Sequence, residues 1–483
     1  MNKAMHYDRR RFLRDTISAA LGGASVYSAL GQLQLAQAAT ASYSFSDYKA
    51  LVCVFLYGGN DSFNNIIPLD DSHYAQYKAV RSSVAVAQNQ LIKLNAPASG
   101  AGSPGDGGSY GLHPGMPELA ALFNQAQSPL ALVANVGTLV GPTSKQKYAD
   151  NSAVLPPQLF SHADQEAYWQ SCPPSNTPVT GWGGRICDLL AAANPSGIPI
   201  LTSLTGEDVF LRGQNVNGYI MNADSAPVLD FPWDEGNKIG AAFSALHASG
   251  TQANALERTF AATMNHARAT ADLINKGLST SGVPDFATYF PNPSGYDLDT
   301  QLKTVAKLIW AASNNIAGFN GMKRQVFFVS ASGFDTHSDE TAQLQTVLPL
   351  LSKSMSGFYR ALQSVGLQNK ATLFTASDFG RTLSANANGT DHGWGGHHFV
   401  LGGAVAGGKF YGDNRNGTGT AAMPSLALSD SNLDDAGYGQ IIPTTSVDQY
   451  SATLANWFGL SSSDIALLHP NLANFSTKNL GFV

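Results

Sequence analysis

Four short stretches of the chain place carboxylates and imidazoles where they could do chemistry. Gly58-Gly59-Asn60-Asp61 follows the apolar run Leu51–Leu56, and Gly333-Phe334-Asp335-Thr336-His337 follows Gln325–Ser330. Ser377-Asp378-Phe379-Gly380-Arg381-Thr382 follows Ala371–Ala376, and Thr390-Asp391-His392-Gly393-Trp394-Gly395-Gly396-His397-His398 comes shortly after. Each has a plain reading. Asp61 could be a solvated turn residue, and Asp335-Thr336-His337 a polar turn. Asp378 could cap a helix or pair with Arg381, and the histidine-rich stretch could decorate a surface. Taken together they point elsewhere. Carboxylates aimed into one cleft repel one another, and each costs several kcal/mol to desolvate unless a cation or hydrogen bonds compensate. Convergence of these groups would therefore demand a cation, with Asp61 as the first candidate ligand.

The elements that would position them follow from pattern. Apolar runs at Leu51–Leu56, Leu130–Ala134, Gln325–Ser330 and Ala371–Ala376 read as buried strands. Helices are expected at Met116–Gln125, at 161–171 with Ser161 as N-cap, and at Thr341–Val365. Strands alternating with helices predict an α/β fold, a mostly parallel central sheet with helices on both faces. Sites in such folds form at the carboxyl ends of strands. Residues 95–111 read as a Gly-rich loop, and 235–320 as an Ala-rich helical insertion in a single domain spanning 45–483.

The chain has 483 residues, 43% apolar and only 13% charged, about half the usual charged fraction of roughly 25%. A net charge of −6 and no basic stripe beyond the N-terminus give no footing for nucleic acid. At the N-terminus, Asp8-Arg9-Arg10-Arg11-Phe12-Leu13-Arg14 resembles a twin-arginine export signature. A weakly apolar stretch, Ile17 to Leu35, follows; it is too diluted for a stable membrane span, and Ala36-Gln37-Ala38 fits a cleavage site. Residues 1–38 are thus expected to be a signal read by the twin-arginine translocase, placing the mature protein in the periplasm or outside the cell. Cys53 reads as a buried strand residue, whereas Cys172 and Cys187 could form a disulfide.

The ordered set GGND (58–61), GLHP (111–114), NVGTL (135–139), SHADQEAYW (161–169), GFDTH (333–337), SDFGRT (377–382), TDHG (390–393) and GGxVxGG (402–408) resembles the DUF1501 family. These are bacterial twin-arginine-exported proteins grouped with the alkaline-phosphatase/sulfatase superfamily. The resemblance implies an alkaline-phosphatase-like fold and a metal site hydrolysing phosphate or sulfate esters. It casts Asp61, Asp335, His337, Asp378 and His392 as metal ligands and Ser161 as nucleophile, or as a simple helix cap. By the same resemblance, Asp61 with Asp378 would hold one cation, and Asp335, His337 and His392 a second, about 3.5–4 Å away. Arg381 would grip the substrate's non-bridging oxygens or pair with Asp378. One departure stands out: Phe379 occupies a position where His is usual. Either His162, His397 or His398 substitutes, or the site holds one ion or none. Zinc, manganese, calcium and magnesium all remain open. The substrate would be a small-molecule or glycan ester. The alternative is a non-catalytic exported binding or assembly protein with a co-exported protein partner. A redox role finds no cofactor fingerprint.

Replacing Arg9 and Arg10 by lysine is expected to abolish appearance of the mature protein in the periplasm, read by fractionation and immunoblot; unimpaired export would contradict the signal assignment.

Overall fold

The computed structural model describes residues 43–172, 179–216, 218–227, 238–248, 252, 254–292, 296–427 and 432–483. The expected export signal lies outside these residues. Fourteen strands occur among them: β1 (Lys49–Leu56), β2 (Ile66–Pro68), β3 (Ile92–Lys93), β4 (Tyr110–Leu112), β5 (Leu130–Gly137), β6 (Leu201–Ser203), β7 (Tyr219–Ile220), β8 (Arg324–Ala331), β9 (Ala371–Ser377), β10 (Arg381–Ala385), β11 (Thr390–His392), β12 (Gly396–Leu401), β13 (Phe410–Tyr411) and β14 (Thr445–Ser446). The central sheet runs β13-β5-β12-β9-β1-β8-β6-β7, with β14 also on β5. Its strands are parallel except β12, which lies antiparallel between β5 and β9.

Alternation within β1 explains why a continuous apolar strand forms here. Ala50, Val52, Val54 and Leu56 face one core, shared with the helices Asp297–Ser313 and Glu340–Ser364. Leu51, Cys53 and Phe55 face the other, shared with Trp182–Leu190 and Val447–Phe458. Both faces are covered, so no polar alternation survives. The expected helical stretch 235–320 contains Lys238–Leu246, Ala255–Ser279 and Asp297–Ser313. The last of these is a core helix rather than an appendage.

Register does the positioning. β1 is flanked by β8 and β9, with Leu56 opposite Ala331 on one side and Ser377 on the other. The three chains therefore leave the sheet level with one another. β12 enters from the same edge because it runs the opposite way. That reversal overturns the expectation of a surface loop for His397 and His398. Both lie in β12 and are buried, and burial pushes each imidazole down to about 3. His397 Nδ1 accepts from the Asn135 backbone N–H at 3.0 Å, and His398 packs 4.7 Å from the Trp169 ring. All three cysteines are free and buried, so Cys172 and Cys187 are not paired.

Asp61 is also placed differently from the expected ligand role. It is fully buried and ion-paired with Arg81, from the helix Asp71–Arg81, which also reaches Glu340 Oε1 at 3.1 Å. Burial, and then the Glu340 carboxylate, push the Asp61 carboxyl up, while Arg81 opposes the rise. One guanidinium thus holds two interior carboxyls. Removing a single partner of a buried charge network costs about 3–5 kcal/mol. Arg81→Met is therefore expected to lose about that much unfolding free energy in urea, and Asp61→Asn distinctly less, because Arg81 keeps Glu340. Equal losses would contradict this.

Candidate metal centre

The level strand ends deliver one compact cluster. His162, Asp335, His337 and His392 each offer a ligand atom, all within 4.8 Å of one another. Asp335 and His337 come from the loop after β8, and His392 ends β11 of the hairpin that follows β9. His162 is the first residue of the helix His162–Ser171. Of the three histidines that could stand in for the absent ligand at Phe379, His162 is the one the structure brings in. Phe379 instead packs its ring 4.8 Å from His162 and 4.6 Å from His392.

The hydrogen bonds fix which imidazole atoms face inward. His392 Nδ1 lies 2.6 Å from the Phe160 carbonyl, which can only accept, so the proton sits on Nδ1. His162 Nδ1 donates to Asp378 Oδ2 at 2.6 Å, and His337 Nδ1 faces Asp391 Oδ1 at 3.3 Å. The Nε2 atoms of His162 and His392 are thereby left as bare lone pairs, while His337 can carry its proton on Nδ1 towards Asp391 or on Nε2 towards His392 and Asp335. His337 Nε2 and His392 Nε2 meet at 2.8 Å, and Asp335 Oδ1 lies 3.1 Å, 3.7 Å and 3.9 Å from the Nε2 atoms of His337, His162 and His392. Lone pairs pointed at one another across such distances repel unless a cation or proton sits between them. Imidazoles whose outer N–H is held by a carboxylate or carbonyl are the usual arrangement around a protein-bound metal. Three nitrogens and one carboxylate oxygen fit zinc, with manganese or iron also accommodated.

Burial alone would raise the Asp335 carboxyl, but the Arg381 hydrogen bond and charge, with His337 and His162, hold it below its ordinary value. Burial pushes His392 down, aided by the charges of His162, Arg381 and His337 and opposed by the Phe160 carbonyl. Half of the Asp335 side chain stays exposed, so the cluster opens to solvent.

The remaining expected residues divide. Asp378 orients His162 from outside the cluster and accepts the Gly58 N–H at 3.2 Å. β1 contributes that backbone group and the Gly58 carbonyl, not the Asp61 side chain. Gly58 has φ +115°, and a Cβ there would sit 2.3 Å from the Asp335 nitrogen; one on Gly59 would sit 2.4 Å from the Phe379 ring. Only glycines let this turn approach so closely. Arg381 is fully buried and pairs with Asp335 at 2.8 Å, with Gly58 O at 3.1 Å, and with the Thr390 backbone and hydroxyl. Its ion pair is with Asp335 rather than with Asp378. Ser161 takes the N-cap position, but its Oγ donates to Asp164 Oδ2 at 2.6 Å and accepts from no backbone N–H of the helix.

Two functional neighbours escaped the sequence reading. Asp391 was adjacent to His392 in plain view. Glu166 stands four residues after His162, the spacing that shares a helix face. Its side chain is hydrogen-bonded to Asp378, and burial, then Asp378, push it up to about 7. An acid with a raised folded pKa binds its proton more tightly when folded, so its stabilisation is full below about 4.5 and disappears as pH rises to about 7. Metal-free Glu166→Gln is therefore expected to melt higher than wild type at pH 8, with the advantage shrinking progressively as pH falls to about 4.5; a pH-independent difference would contradict this.

A family model described as a protein of unknown function, DUF1501, matches residues 48–425. No curated protein matches the chain. Among solved structures, the lipoteichoic acid synthase LtaP from Listeria monocytogenes is 9% identical, covers 85% of this chain and 81% of its own, with TM-score 0.31. The C-terminal periplasmic domain of EptC from Escherichia coli, in complex with zinc, is 10% identical over 87% and 85%, with TM-score 0.32. Alkaline phosphatase from the Antarctic bacterium TAB5 is 11% identical over 73% and 90%, with TM-score 0.24. Since the family model spans most of the molecule, the chain belongs to the DUF1501 family.

Proposed function

We propose that this protein is an exported metal-dependent hydrolase of phosphate or sulfate esters. The observation that carries the proposal is the convergence of ligand atoms from His162, His337, His392 and Asp335 at a solvent-open point on the sheet's carboxyl edge. His162, Asp335, His337 and His392 would hold a divalent cation, and that cation, when bound, would supply Lewis-acid stabilisation of charge on a substrate oxygen.

The chain's own groups do the rest. Ser161 lies between Phe160, whose carbonyl holds His392, and His162, so its backbone borders the cation site from both directions. Its Oγ would form the bond to phosphorus or sulfur as the bond to the ester's alcohol oxygen breaks, the alcohol leaving with a proton from solvent, and water would then cleave the Ser161 ester to release phosphate or sulfate. Asp164, already hydrogen-bonded to that hydroxyl, is the group placed to take its proton. The N–H groups of the helix's first turn favour an anion at the same end. Asp378 and Asp391 keep His162 and His337 in the required tautomer, and Arg381 keeps Asp335 ionised and aimed.

A second reading, a binding or assembly protein on this fold, draws support from Arg381. Its burial leaves the cluster without a free guanidinium for substrate oxygens.

Protein purified without chelators and assayed on aryl phosphate and aryl sulfate esters is expected to turn over one of them, with the activity lost on chelation and restored by zinc or manganese. Ser161→Ala is expected to lower turnover by at least about 10³-fold while keeping the metal. Asp391→Ala is expected to weaken metal affinity about 10–100-fold by freeing His337 Nδ1. Bound metal with no turnover of any ester would hand the case to the binding reading.

A further inference from the structure

A second cluster lies away from that site. Cys172, Asp448 and His469 bring a sulfur, a carboxylate oxygen and a ring nitrogen within 4.8 Å of one another, and all three residues are buried. They come from separate places: Cys172 follows the helix that begins at His162, Asp448 sits in the first turn of Val447–Phe458, and His469 follows Ser462–Leu468. Asp448 and His469 lie beyond residues 48–425 matched by the family model.

Two polar atoms here have no partner. Asp448 Oδ1 and His469 Nε2 are buried and make no hydrogen bond. Leaving such atoms orphaned costs roughly 1–3 kcal/mol each. Their other sides are fixed. Ser446 Oγ lies 3.2 Å from Asp448 Oδ2. Ser451 Oγ donates to the Val447 carbonyl at 2.7 Å, so the 3.4 Å contact with His469 Nδ1 requires the imidazole to donate. Nε2 is then a bare lone pair. Ser451 Oγ is also 3.9 Å from Cys172 Sγ.

We propose that Cys172, Asp448 and His469 form a buried structural zinc site. Sulfur, imidazole nitrogen and carboxylate oxygen are zinc donors, whereas magnesium and calcium take oxygen. Charge is consistent. The charged group packed against the cluster is Arg185, which donates to the carbonyls of Ser171 at 2.5 Å and Leu468 at 3.3 Å, and to that of Cys172. A zinc ion with one thiolate and one carboxylate is neutral, so it adds no net charge beside that guanidinium. The site would tether the far end of the Ser161- and His162-bearing helix to the C-terminal helices. It stands independently of the hydrolase proposal.

The test uses the protein with Cys53→Ala and Cys187→Ala, which leaves Cys172 as its sole thiol. Purified without chelators and exchanged into cobalt(II), it is expected to show a thiolate-to-cobalt charge-transfer absorption in the near ultraviolet. The band should persist when His337→Ala is added and vanish with Cys172→Ser, which should also lose one equivalent of metal. Absence of the band from the Cys172-only protein overturns the proposal, and this arm stands alone should Cys172→Ser fail to fold. The histidine-rich cluster contains no sulfur, so its failure to bind metal would leave the band untouched.

Discussion

Two imidazole nitrogens 2.8 Å apart, one of them on a ring whose proton is committed to the opposite side, set the terms for the edge of the sheet. Such a contact needs a proton or a cation between the two atoms, and the surroundings are arranged to keep it. His392 is held by the Phe160 carbonyl, and Phe160 adopts a left-handed backbone, φ 73°, which costs a non-glycine residue on the order of 1–2 kcal/mol. His162 is held by Asp378, which is itself anchored by the Gly58 N–H. Asp335, the single carboxylate of the cluster, is kept ionised and oriented by a buried arginine.

These constraints reach back through the fold. The loops that carry Gly58, Asp335 and Asp378 emerge side by side because Leu56, Ala331 and Ser377 are in register. The Gly58-Gly59 turn can lie against Asp335 and Phe379 only without side chains. Phe379 then forms an apolar wall against His162 and His392, and a residue that looks like a lost ligand becomes the packing surface for two of the clustered imidazoles. Elsewhere in the interior, Arg81 is shared between Asp61 and Glu340, and burial raises the Asp61 carboxyl so that the pair need not carry two negative charges.

Much of this was legible in the sequence. Apolar strand runs ending in Asp or His turns gave the sheet, its carboxyl edge, and Asp335, His337 and His392. The errors share one cause: partners distant in sequence decided the outcome. Asp61 had the correct place at the end of β1, but nothing in its own stretch disclosed that Arg81 would claim it. Arg381 read as a substrate grip because its burial under the β10–β11 hairpin is a tertiary fact. His397 and His398 read as loop residues because glycines precede them, whereas β12 runs antiparallel through the centre of the sheet. Glu166 was within reach of pattern alone, one helical turn beyond His162.

The most direct measurement is anomalous diffraction from crystals of protein purified without chelators. The account predicts one strong metal peak roughly 2.0–2.2 Å from Nε2 of His162, His337 and His392 and from an Asp335 oxygen. No peak at that point, with the His337 and His392 rings turned so that their Nε2 atoms no longer face each other, would contradict it.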